Sequence, residues 1–76
     1  MSTRTPMTHK GKQLFEAFKL AIEAERKAQV EYGKMAALAE DPQVRGAFER
    51  FQREEAEHEE GLLQLYQDLK ARFIPE

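Results

Sequence analysis

Three side chains in this sequence have the types and spacing to hold a metal ion: Glu25, Glu55 and His58. Carboxylate oxygen and imidazole nitrogen, with no thiolate, are donors suited to iron or manganese and, less well, to zinc. Glu55 and His58 stand three residues apart, which in a helix sets them side by side on one face. The line they interrupt is what marks them out. Val44, Phe48, Phe51, Glu55, His58, Leu62, Leu65 and Leu69 recur at alternating steps of four and three, an apolar seam with a carboxylate and an imidazole at its centre. On the wet face of a helix such groups cost nothing. On a buried stripe they are expensive unless something there satisfies them. One such residue alone reads better as a register device of a coiled coil.

The element that must position Glu25 is a first helix running from about Gly11 to Ala39, on the order of 42 Å long at 1.5 Å per residue. Its stripe is Leu14, Phe18, Ile22, Glu25, Gln29, Tyr32 and Ala36, flanked by Ala21, Ala28 and Ala39. Glu25 lies a heptad from both Phe18 and Tyr32 and faces the core with them. Glu23, Arg26 and Lys27 fall off the stripe and read as solvated charge. Before this helix, residues 1–10 show no periodicity and read as a disordered basic tail, with His9 a solvated residue.

Glu40-Asp41-Pro42 breaks the chain. Asp41 is a natural N-cap, and Pro42 suits the first helical position, where its missing N–H is no loss. The second helix runs from Pro42 to about Arg72 and stops before Pro75. So short a connection makes the two helices antiparallel neighbours, one all-α domain over residues 11–73. Gly33 and Gly61, near Tyr32 and His58, read equally as points of close helix approach or as tolerated outward positions.

Counting from the turn, Glu25 lies about 15–16 residues before it, and Glu55 and His58 about 14–17 after it. All three therefore sit at one level, facing inward. One hairpin offers two carboxylates and an imidazole. Two hairpins related by a two-fold axis offer four carboxylates and two imidazoles, the donor set of di-iron and di-manganese four-helix bundles. Four carboxylates also balance two divalent cations.

Composition narrows the rest. With 76 residues, the chain is one small domain. Two helices alone cannot enclose a core, and chains this short lean on disulfides, metal or self-association. Cysteine is absent, which excludes disulfides and thiolate metal centres. A net charge of −2 gives no argument for nucleic acid. No run approaches the roughly 20 apolar residues of a membrane span, and no apolar signal segment opens the chain. The default compartment is the cytoplasm. Leu20, Val30 and Leu38 lie off the first seam and leave room for assembly beyond a dimer, to a higher even-numbered homo-oligomer.

Ala24-Glu25-Arg-Lys-Ala-Gln-Val-Glu-Tyr32 and Glu54-Glu55-Ala-Glu-His58 resemble the paired helix motifs of the ferritin-like superfamily, specifically its rubrerythrin branch. The first has the family's Glu-x6-Tyr spacing and the second its Glu-x-x-His. Having two helices where most members carry four, the chain is similar to the encapsulated ferritins, which build their iron site across a subunit interface. The resemblance implies a homodimeric ferritin-like bundle with two irons per dimer held by Glu25, Glu55 and His58. It implies that Tyr32 hydrogen-bonds a ligating carboxylate or supplies an electron. It further implies ferroxidase-type oxidation of ferrous iron, and an encapsulin-type shell as partner, placing the protein inside a nanocompartment. Without cysteine the rubredoxin iron of rubrerythrins proper is excluded. Two alternatives remain: peroxide reduction at the same site, and a metal-free helical dimer serving as a structural or adaptor module.

Overall fold

The computed structural model describes residues 5–74. Two long helices, α1 (His9–Leu38) and α2 (Pro42–Arg72), pack against each other as a hairpin, as expected from the sequence. A short strand β1 (Thr5–Pro6) precedes them and β2 (Phe73–Ile74) follows. The strands pair in parallel, Thr5 opposite Phe73 and Pro6 opposite Ile74, and tie the two chain ends together at the open end of the hairpin.

The turn forms as its residues dictate. Asp41 is extended and its Oδ1 accepts the backbone N–H groups of Gln43 at 2.7 Å and Val44 at 3.1 Å, closing the first turn of α2. At the end of α1, Arg45 reaches back and donates from Nη2 to the Ala39 carbonyl at 2.9 Å, satisfying an acceptor the helix leaves open. The start of α1 differs from expectation. Thr8 Oγ1 accepts from the Gly11 N–H at 3.0 Å, so the helix begins at His9, with Gly11 inside its first turn. Residues 5–8, expected within the tail, are thus a paired strand and a cap, while residues 1–4 lie outside the described chain.

The Cα trace measures 59 × 19 × 12 Å, a slab one helix thick. Such a slab covers each helix on one side only, and among the described residues just Phe15, Ile22 and Ala36 are buried. Leu14, expected to open the α1 stripe, is exposed, and Phe15 takes its place. On α2, Val44 and Leu65 are 46% and 56% exposed, whereas Gln52, Glu59, Leu63 and Tyr66 are partly covered. The reason is geometric. The four-three spacing traces a line between two faces of each helix, and the partner helix covers only one of them. The less covered face carries two heptad rows, Leu14, Ala21, Ala28 and Met35 on α1 and Val44, Phe51, His58 and Leu65 on α2, of which Ala21, Ala28 and Phe51 are partly covered and the rest exposed. Leu20, Val30 and Leu38 stand exposed elsewhere on α1.

Aromatic clusters close both ends. Near the turn, Tyr32 meets Phe48 and Phe51 with ring centroids 6.3 and 5.5 Å apart. At the open end Phe15 packs edge-on to Tyr66 at 5.4 Å and to Phe73 at 6.5 Å. Each such pair contributes about 0.5–1.5 kcal/mol beyond its area.

Two glycines make opposite predictions. A Cβ on Gly33 would stand 2.7 Å from Gln52 Nε2, whereas one on Gly46 would meet nothing within 4 Å. Gly46→Ala is therefore expected to stabilise the hairpin by about 0.5–1 kcal/mol through helix propensity alone. Gly33→Ala gains the same but displaces Gln52 from its hydrogen bond, worth about 0.5–1.5 kcal/mol, so its net change should be near zero. Urea midpoints of the two variants check the contrast. Gly61 also has open space around it, so close helix approach within one hairpin concerns Gly33 alone of the two residues singled out above.

Candidate metal centre

Glu25 projects from the middle of α1, and Glu55 and His58 from one face of α2, at the same level of the hairpin. One donor atom from each lies within 4.8 Å of the other two. His58 Nδ1 stands 3.6 Å from Glu25 Oε2 and 3.7 Å from Glu55 Oε2. These separations are too long for hydrogen bonds. Donors sharing a metal at about 2.1 Å stand roughly 3.0–3.4 Å apart, which small side-chain rotations would reach from here.

Burial is uneven across the three. The carboxylate side chains are mostly covered, Glu25 at 24% and Glu55 at 21% exposure, while that of His58 is 60% exposed. His58, expected on a buried seam, lies instead on the uncovered face of the hairpin between Phe51 and Leu65. Glu25 Oε2 is buried and has no hydrogen-bond partner among the described residues. A carboxylate oxygen withdrawn from water and left unpaired costs about 1–3 kcal/mol or more, and a cation at this point would satisfy it. The donor set and the orphaned oxygen both fit a hard or borderline metal such as iron.

Tyr32 is placed apart from this group. Its ring packs on Phe48 and Phe51, and it makes no hydrogen bond to Glu25 or Glu55 among the described residues. His9 is exposed at the start of α1, far along the helix from the cluster.

The opposite face of the hairpin holds a polar network at the same level, which the sequence reading missed. Glu59 Oε2 accepts from Arg26 Nε at 2.7 Å, and its Oε1 accepts from Gln29 Nε2 at 2.6 Å. Gln29 Nε2 also contacts the Glu25 carbonyl at 3.3 Å, and Gln52 Nε2 donates to the Gln29 carbonyl at 3.1 Å. The hydrogen bond from Arg26, then that from Gln29, holds the Glu59 carboxyl below its ordinary value of 4.5. Arg26 is thus a cross-helix partner, although its side chain stays 58% exposed, as expected of a solvated charge. A usable signal was the pairing of Gln29 with Gln52, which stand equally far from the turn on opposite helices.

A helical hairpin with inward carboxylates and a Glu-x-x-His at mid-length defines the ferritin-like class. The family model described as Rubrerythrin matches residues 16–74, and the chain belongs to the rubrerythrin family. Members of that family are iron-binding proteins and typically oxidoreductases. No curated protein and no solved structure matches the chain. Among the described residues no helix is long and apolar enough to cross a membrane.

Proposed function

We propose that two copies of this chain pair through the uncovered face to form a four-helix bundle that binds two irons and oxidises ferrous iron. The observation that carries this reading is the buried Glu25 Oε2, which lacks a partner and stands 3.6 Å from His58 Nδ1. That oxygen lies beside an apolar face that a second hairpin would cover. Each hairpin supplies two carboxylates and one imidazole, and two supply the set that a di-iron bundle uses.

Bound iron would supply the one-electron chemistry. The chain supplies the environment. Glu25 and Glu55 place negative charge where the ferric product needs it, and His58 adds a neutral donor beside them. Heptad rows on either side of the cluster, Leu14 to Met35 and Val44 to Leu65, exclude water when two hairpins meet. With dioxygen as oxidant, one electron from each of two ferrous ions and two protons convert it to hydrogen peroxide. With hydrogen peroxide as oxidant, the same electrons and protons yield two waters. Comparing the rates at which the two oxidants consume the ferrous form tells which one the site serves.

The test is iron per chain by elemental analysis after anaerobic ferrous loading and desalting, with native mass from the same sample. About one iron per chain in an even-numbered oligomer is the expected result. A folded dimer that retains no iron would overturn the reading and leave a metal-free structural module.

A further inference from the structure

We propose that Glu59, clamped by Arg26 and Gln29, is the positioning residue that fixes the register of α1 against α2 and so brings Glu25 level with Glu55 and His58; this rests on the metal reading above. The clamp lies behind the cluster. Arg26 follows Glu25 in the chain and Glu59 follows His58, so each strand of the clamp is one residue from a candidate ligand. Both carboxylate oxygens of Glu59 are engaged across the hairpin, at 2.7 Å by Arg26 and at 2.6 Å by Gln29. Two contacts from residues three apart on α1 to one side chain on α2 specify an axial position, because a shift by one turn breaks both.

Apolar packing does not specify register so sharply. An apolar contact such as that of Ile22 tolerates a small slide, whereas a hydrogen bond is lost once its distance or angle is. The ring pairs Phe18–Tyr66 and Tyr32–Phe51 stand on either side of this level, where buried Ile22 and the polar clamp hold the helices together. Gln52 extends the clamp by one turn, donating to the Gln29 carbonyl in the space that Gly33 leaves open. Glu59 itself is not among the candidate ligands, since both of its oxygens are already occupied by Arg26 and Gln29.

Co²⁺ uptake and spectrum test the assignment, since cobalt absorption reports coordination geometry apart from any turnover. The variants are E59A, the charge swap R26E/E59R, and L63A as a control. Leu63 is half-buried one turn past Glu59 and lines a groove with Arg26, but its apolar side chain offers the clamp no hydrogen bond. E59A is expected to weaken Co²⁺ binding by about 10–100-fold and to change the absorption bands, as removal of groups supporting metal ligands does. Amide exchange around Glu25 in metal-free E59A should also quicken, while the Tyr32–Phe51 ring contact persists. The swap should recover most of the affinity, and L63A should keep it within about threefold of wild type despite lowered stability. Unchanged affinity and spectrum in E59A, or an equal loss in L63A at matched melting temperature, would overturn the positioning role alone. Wild-type protein that takes up no Co²⁺ would remove the metal site and this role with it.

Discussion

Leu65→Glu is expected to abolish iron retention while leaving every candidate ligand in place. Leu65 is a heptad past His58 on the uncovered face and is more exposed than buried in one hairpin. Within that hairpin a glutamate is harmless, because it is solvated there and its helix propensity is close to that of leucine. Across a two-fold interface the same change buries two new carboxylates without partners, which costs several kcal/mol and raises the dimer dissociation constant by more than about 100-fold. Each hairpin then holds only half of the donor set. Sedimentation and iron content measured together check this, with Leu20→Glu, on another face of α1, expected to change neither. A Leu65→Glu protein that still pairs and still holds iron would place the contact between copies elsewhere.

Glu25→Leu should do the reverse to stability. In metal-free protein it removes a buried carboxylate oxygen that has no hydrogen-bond partner among the described residues and puts an apolar side chain on a line with Phe18 and Tyr32. A gain of about 1–3 kcal/mol follows from relieving the unpaired group, or a melting temperature higher by about 5 °C or more in a domain this small. Iron loading should invert the order. The wild type gains about 2.7 kcal/mol when free iron is a hundredfold above its dissociation constant, and the variant, lacking the ligand, gains nothing. Paired thermal melts with and without ferrous iron display the crossover. A metal-free Glu25→Leu protein less stable than wild type would show that the carboxylate already has a stabilising partner.

The hairpin and the cluster were both legible in the sequence, for the same physical reason: each breaks a local rule. Asp41-Pro42 cannot continue a helix, so the turn announces itself. Glu25, Glu55 and His58 interrupt an apolar pattern at one level of the hairpin, which marks them as a group. The clamp was not legible. Charged residues make up 34% of the chain, and with so many acids and bases, Arg26 and Glu59 carry no mark that distinguishes a cross-helix bond from a solvated pair. The phase of the seam was misread by one residue at Leu14 and Phe15, because both fit a stripe wide enough to serve two neighbouring helices. The paired strands were hidden as well. Two residues are too few to show an alternation, and Thr5-Pro6 and Phe73-Ile74 find each other only because the hairpin delivers them to one place.

Those paired strands give the hairpin two unequal ends. One is closed by covalent chain at Asp41, and the other by a few hydrogen bonds and the rings of Phe15, Tyr66 and Phe73. A molecule shaped this way opens like a zip fastened at one end. Thermal fluctuations should part the strands first, then the first turn of α1 with the last turn of α2, each further turn requiring more energy than the one before. Within the helices, backbone amides should therefore exchange along a gradient, fastest beside Met7 and Arg72 and slower with each turn toward the loop, whose own amides at Glu40 and Asp41 lie outside both helices. Glu25, Glu55 and His58 sit halfway along that gradient. The ends can breathe many times for each opening that reaches the cluster, which separates the clock of the termini from the clock of the site.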